Sequence, residues 1–572
     1  MRRALVPIAG LIACLLLSSC GIGPSRVIDD HPVKPDDRTG TGNVSALKER
    51  GELAIGTAEM LIREYLNLAA ADNVERRKVL LGSFFQDPTS GPKADGPVNV
   101  VRLPVPFPDP ARQPDQSLQV KLTVDHLGEL KDGLLIPSSK GKQEVIFTVV
   151  ERNGSLILKD PPTELLLSAD ALNELFQKRA LYFWSGPNLV QDLRYVPEAA
   201  TIEQRATRLL GMLYGEPADW LKRAVSKPPG ETKPTAAVST EDNNLVVTLS
   251  NVLAEPELTK LAEQLARTLL EAPYTASGLQ IRVQGQILKK NYLPDPRAAD
   301  TGRFWRYGIV DGKVYRFKSP GTVAVPGFFG QTSNPLNQNV AEVAFARDES
   351  AIALLRVEGG KQQLVLVNST GGETSAAGLP SAGLSHPMWI NAKTLLIRGN
   401  EKIYQVDGAT GAITAENDIE GLTNYAVASD GRRVALVMGE QVYLAVRNDE
   451  GQILLEDRQL VKTGFSAVYA VAFEDARNPD RLFVSGLSGS NVYIGVVNAD
   501  GTDWVRYNQA FGAPIRHLSA GGGQVLFEVP GWGSFRGQQV DDSKVDELIA
   551  EVDWQNGVKP QQVVIHSPVF QG

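Results

Sequence analysis

Cysteine is nearly missing from this chain. There are two, Cys14 and Cys20, among 572 residues. Disulfides therefore cannot staple the fold, which must rest on hydrophobic cores that its length permits. Histidine is scarce as well: His31, His126, His386, His517 and His566 include no pair at metal-ligand spacing and no His-Glu-x-x-His. Positive charge is not in excess. The formal net charge is −8, which argues against non-specific nucleic-acid binding and a polybasic membrane anchor. Long apolar runs are lacking too. The main one, residues 5–17, covers about 13 residues, short of the ~20 that a bilayer-spanning helix needs.

That short run is informative through its setting. Arg2 and Arg3 precede it, and Leu17-Ser18-Ser19-Cys20 ends it. A positive start, an apolar core and small residues before a cleavage point form a secretory signal. A cysteine directly after that point makes the four residues a bacterial lipobox, where a thioether links the chain to diacylglycerol. Residues 1–19 are thus expected to be a lipoprotein signal peptide. Cys20 is expected to be the lipidated start of the mature chain, held by acyl chains such as palmitate at the extracytoplasmic face of the cell membrane. Cleavage would remove Cys14, Arg2 and Arg3, leaving one acylated cysteine and a net charge of −10. Residues 20–45 are polar, contain Pro24, Pro32 and Pro35, and keep no helix or strand period. They read as a flexible tether reaching on the order of 25–30 Å.

Residues 46–165 read as an α+β unit. Ala58, Leu61, Ile62, Tyr65, Leu66 and Ala69 fall at helical spacing, and Val74, Leu80 and Leu81 mark a second short helix. Residues 88–114 are proline-rich and are expected to be loop. Val120, Leu122 and Val124 alternate with polar residues, as a half-buried strand requires. Residues 145–150 are more apolar, which predicts a strand buried on both faces. Asn153-Gly154 then turns the chain into another strand. Helices followed by an antiparallel sheet resemble the cystatin-like, NTF2-type cone.

Residues 166–290 form a second unit. A linking helix over 169–177 leads to strands over 179–184 and 193–196, around a turn at Gly186-Pro187. Ile202, Ala206, Leu209, Leu210 and Leu213 mark a helix that Thr201 is placed to cap. A strand over 245–249, a helix carrying Leu258, Leu261, Leu265 and Leu269, and a strand over 279–283 follow. The segment RALYFWSGPNLVQDLRYVPEAATIEQRATRLLGMLYGEP resembles the opening of a GerMN domain, first described in spore-germination proteins.

From residue 295 to 572 the texture changes to short apolar runs separated by Gly, Asp and Asn turns. Aligning the strand after each turn gives anchors at Ile352, Leu395, Val434, Leu482 and Val525. Their spacing is 43, 39, 48 and 43 residues. A period near 40–45 with several short strands per repeat is the signature of a β-propeller. A sixth unit is expected where Asp311-Gly312 leads into Val314-Tyr315, giving six blades. The tail is expected to hold a helix around Val545, Leu548 and Ile549 and a closing strand at 563–565. Segments such as VASDGRRVALV are similar to the repeat of TolB-type propellers.

Chemistry is hard to find. There is no Gly-x-Ser-x-Gly elbow, no phosphate-binding loop and no Gly-x-Gly-x-x-Gly after a strand. The Ser-x-x-Lys matches at Ser45 and Ser139 are no more than chance supplies. No catalytic, cofactor-binding or metal site is assigned. His126 reads as structural. His386 and His517 sit at similar blade positions, where they can face a channel or bond a neighbouring loop. Asp407, Asp430 and Asp500 can be calcium ligands or ordinary turn residues. Phe328, Phe329 and Trp532 lie in glycine-rich loops and look exposed, as a binding rim needs, although core packing fits them equally.

A lipobox, an N-terminal α+β domain, a GerMN domain and a C-terminal propeller, in that order, resemble the actinobacterial LpqB lipoprotein family across the whole chain. That resemblance implies a regulator rather than an enzyme. It implies contact with the extracellular domain of MtrB, the sensor kinase of the MtrAB two-component system, and an effect on cell-wall homeostasis and division. Cys20 is the one functional residue it carries over. The alternatives are a sensor of wall glycan or muropeptide and, further off, a propeller hydrolase. The hydrolase would require Glu, Asp, Asn and His to converge in an open channel mouth.

Overall fold

The first hydrophobic core forms where helix Ala58–Asn67 lays Leu61, Ile62, Tyr65 and Leu66 on a mixed sheet. Thr57 Oγ accepts from Met60 N at 3.1 Å and so fixes the start of that helix. The structure, a computed structural model, describes residues 47–48, 56–71, 74–87, 91–197, 201–270, 276–294, 305–317, 322–323, 325, 327–329, 333–474, 480–531, 533–538, 544–547 and 565–570. Cys20, the signal segment and the tether lie outside these residues, as does Trp532. No helix among them is long and apolar enough to cross a membrane.

The sheet of this first module runs Ser155–Asp160, Lys142–Arg152, Leu118–Lys131, Val98–Arg102, Leu165–Ser168. Val98–Arg102 corrects the expectation of loop through 88–114. Its flanking prolines hide a strand whose Val98, Val100 and Val101 are buried near the middle of the sheet. It pairs antiparallel with Leu118–Lys131 and parallel with Leu165–Ser168. A second correction concerns residues 145–150. Phe147 and Val149 are buried while Ile146 is exposed, so only one face of that strand meets the core.

The second module begins with the long hairpin Phe176–Ser185 and Asn188–Pro197. Helix Ile202–Leu213 follows, with Thr201 Oγ1 accepting from Gln204 N at 3.2 Å. Strands Asn244–Leu249 and Gly278–Val283 are parallel, so the connection between them must cross over. Helix Glu257–Leu269 makes that crossover and buries Leu258, Leu261, Leu265 and Leu269.

Six four-stranded sheets follow and form a six-bladed propeller. Blade 1 joins Arg306–Val310, Lys313–Phe317 and Thr322–Val323 to the C-terminal strand His566–Phe570. Blades 2 to 6 cover residues 340–375, 384–418, 422–461, 467–506 and 518–547. The first strand of each of these blades lies beside the first strand of the next, and His566–Phe570 fills that inner position in blade 1. The ring is therefore closed by pairing Arg306–Val310 with a strand about 260 residues further on. The five anchors all fall on the second strand of their blades. The sixth does not. Val314 lies on the third strand of blade 1, because the second strand is Arg306–Val310, one period ahead of Ile352.

The tail also differs from expectation. Val545 lies in the outer strand Lys544–Glu547 of blade 6, not in a helix, while Leu548 and Ile549 lie outside the described residues. The closing strand is His566–Phe570 rather than 563–565. Phe328 and Phe329 are buried against Tyr307 and Phe345 and form core, not rim.

Candidate functional site

Polar side chains gather at the propeller axis for a local reason. The inner strands of blades 2, 3, 4 and 5 each carry a register shift, at Val340/Glu342, Ser385/Met388, Leu422/Asn424 and Val468/Ala470. A bulge leaves one residue unpaired and re-aims its neighbours. Glu342, His386 and Asn424 sit at these shifts, and His386 adopts the left-handed backbone with φ 55°.

The bonds then run from blade to blade. Glu342 Oε2 accepts from His386 N at 2.5 Å, and Tyr425 donates to His386 O at 2.7 Å. His386 Nε2 lies 2.8 Å from Asn424 Nδ2 and 2.9 Å from Arg516 O. Asn424 Nδ2 also donates to Arg516 O at 3.0 Å, while its Oδ1 accepts from Val471 N at 3.2 Å. His517 Nε2 meets Pro568 O at 3.1 Å, and its ring lies over that of His386 with centroids 6.0 Å apart. Glu528 accepts from Ser567 N at 2.9 Å, and Ser567 Oγ donates to Ala341 O at 3.0 Å. The two histidines thus do face the axis and also bond neighbouring segments. Glu, Asn and His side chains converge here, and Arg516 O, in the connection that leads into blade 6, is tied to His386 of blade 3 and Asn424 of blade 4. Most of these groups bond one another, while the buried Nδ1 of His386 has no partner. Among the described residues no group of three His, Cys, Asp or Glu side chains is placed to hold a metal.

Burial sets the protonation of this cluster. It pushes His386 down to about 4 from an ordinary 6.5, and it pushes His517 down as well. Burial raises Glu342 despite nearby His517. With a lowered folded pKa, His386 binds fewer protons folded than unfolded between pH 4 and 6.5. Its contribution to stability is complete above the unfolded value and is lost as pH falls toward the folded one. Glu342 has the opposite slope, because a raised acid costs stability above its ordinary range. Comparing the wild type with His386→Asn separates the two. Between about pH 7 and pH 5 the wild-type melting temperature should fall further than the variant's, by on the order of 1–2 kcal/mol or roughly 2–8 °C. Parallel curves for the two proteins would contradict this.

Asp407 and Asp500, two of the candidate calcium ligands, accept turn bonds. Asp407 Oδ1 accepts from Ala409 N, Thr410 N and Thr410 Oγ1. Asp500 Oδ1 accepts from Thr502 N and Oγ1. His126 is buried within the first module, in keeping with a structural role.

A second polar concentration joins the N-terminal modules to blades 4 and 5. Tyr195 donates to Asp500 Oδ2 at 2.6 Å, Arg102 to Gly501 O at 3.0 Å, and Lys178 to Thr502 Oγ1 at 3.1 Å and to Asp503. In return, Lys462 of the propeller donates to Lys140 O at 2.8 Å and to His126 O. Gly186, at φ 55°, lets the hairpin turn approach blade 4, where a Cβ would strike Asp449 Oδ1. Beneath these bonds Val190, Ala218, Trp220 and Leu221 pack into one core with Ala435, Val437, Val468 and Leu482 of the propeller. Buried Asp192 holds that wedge in place by accepting from Ala218 N at 3.0 Å and from Arg194, which also donates to Glu216 O at 2.8 Å.

Sequence reasoning missed Glu342 and Asn424. A signal was available, since Glu342, His386 and Asn424 each lie nine or ten residues ahead of a blade anchor. The module interface left no comparable trace.

Known proteins match this architecture in both of its later parts. The family described as "Lipoprotein LpqB beta-propeller domain" matches residues 312–528, and the family described as "Sporulation and spore germination" matches residues 180–289. A lipoprotein LpqB of Rhodococcus jostii is 21% identical over 439 residues, covering 68% of this chain and 70% of its own. A lipoprotein LpqB of Thermobifida fusca is 31% identical over 153 residues, 25% of this chain and 24% of its own. Among solved structures, TolB from Acinetobacter baumannii aligns at 13% identity over 59% of this chain and 82% of its own, with a TM-score of 0.34.

Proposed function

Because the chain belongs to the LpqB lipoprotein family, we propose that it is a membrane-anchored, extracytoplasmic regulator that acts by protein contact on a sensor kinase of the MtrAB type. On this reading Cys20 carries the acyl chains, and kinase signalling for cell-wall homeostasis and division is what the contact tunes. The role is non-catalytic. The observation that carries the reading is the axial cluster, whose polar groups bond from blade to blade and so brace the ring. A propeller so braced offers broad loop-built faces on a rigid body. A lipid anchor confines those faces to the surface where a kinase ectodomain lies, which raises their effective concentration without new contacts.

The testing experiment is a paired pull-down. A soluble form of the chain, from Gly21 onward, is offered purified MtrB extracellular domain and purified peptidoglycan. Retention of the kinase domain is expected. Retention on peptidoglycan alone would replace the regulator with a wall-glycan sensor. Anchoring has its own check. Cys20→Ala should move the protein from the membrane to the soluble fraction with its melting transition unchanged. Unaltered fractionation would disprove lipidation at Cys20.

A further inference from the structure

One segment of the first module is built for display. Residues 103–110 read Leu-Pro-Val-Pro-Phe-Pro-Asp-Pro, with proline at every second position. The root of the segment is pinned. Leu103 and Phe107 pack against the first core, and the Arg63 guanidinium lies 5.0 Å above the Phe107 ring. Its tip is bare: Val105 is 96% exposed, the most exposed of the large apolar side chains among the described residues. No backbone hydrogen bond ties 103–110 to the rest of the described chain outside the strand ladders. Four prolines fix four φ angles and remove four N–H donors, so little chain entropy is left to lose on binding.

We propose that this finger is a docking element, with Val105 entering an apolar, aromatic-lined groove on a partner protein while the flanking proline rings lie on its walls. The chemistry of recognition follows from the sequence: stiff, donor-poor proline segments are read by aromatic grooves, and a single exposed aliphatic knob fills a pocket between them. A bilayer suits the finger less well. Membrane-inserting loops present large aromatic and basic residues. Here the one aromatic ring is held under Arg63, the exposed Asp109 follows Val105 four residues on, and the whole chain carries net negative charge.

The proposal rests on the partner-contact reading and names the element that makes the contact. The test uses the full-length lipidated protein in detergent, with the MtrB extracellular domain as probe. Val105→Asp should weaken capture at least tenfold while the melting temperature stays that of the wild type, since the side chain packs against nothing. Equal capture of both proteins would overturn the finger and leave the regulator reading intact. Failure of the wild type to capture the domain would overturn both. A fluorophore on Val105→Cys whose emission shifts blue on phosphatidylglycerol vesicles would assign the finger to the membrane and overturn the groove.

Discussion

Replacing Arg433 with alanine is expected to lower the melting temperature of the propeller by roughly 6–20 °C, for a loss of about 3–5 kcal/mol. The guanidinium is 2% exposed and lies between two carboxylates. Its Nε donates to Asp430 Oδ2 at 2.6 Å within blade 4, and its Nη1 reaches Asp480 of blade 5. Asp430 also accepts from the backbone of Arg432 and Arg433, which shapes the turn between the first two strands of blade 4. The two carboxylates keep the guanidinium charged although burial opposes it. Alanine would leave both acids buried without their counter-charge, which is the costly way to break such a group. Replacing the whole set is milder, because it removes the charges together. Arg433→Met combined with Asp430→Asn and Asp480→Asn should therefore recover most of the loss. If the triple variant melts no higher than Arg433→Ala, the damage comes from packing and not from unpaired charge.

Leu221→Ala is the second large effect, expected at about 2–5 kcal/mol. Leu221 is fully buried in the core shared by the second module and blades 4 and 5. Its neighbours are held by Asp192 and by the interface bonds around Asp500, so the site cannot easily collapse onto a cavity. The loss should therefore fall on the coupling between the modules. Calorimetry of the wild type should show the second module and the propeller unfolding together, and the variant should separate them into two transitions. A single transition in the variant, at the wild-type temperature, would mean that the surrounding bonds alone hold the modules together.

Local and periodic features were legible in the sequence. Thr201 caps its helix as read, Asn153 and Gly154 turn with positive φ, and the 43-residue period lands on the second strand of five blades. What escaped was non-local. Val98–Arg102 is a strand because two partners close on it, and its proline-rich flanks conceal that. Tyr195 and Asp500 meet across 305 residues, and no spacing rule joins a phenol to a turn so far away. The axial residues fall between these cases: each is unremarkable alone, and only the bulge repeated from blade to blade reveals a common position.

The closing strand of blade 1 bears on the order in which the molecule assembles. Blades 2 to 6 are built from adjacent strands, so each can form as soon as its own stretch of chain is free. Blade 1 cannot, because Arg306 must wait for Phe570. Contacts between residues so distant in sequence are the slowest to form. Until they do, the outer strands of blade 1 have no inner partner, and Ala341 and Glu528 wait for Ser567. The circle thus exists only once that strand is in place, and an arc without it would leave one edge of Arg306–Val310 unpaired, the other edge being held by Lys313–Phe317.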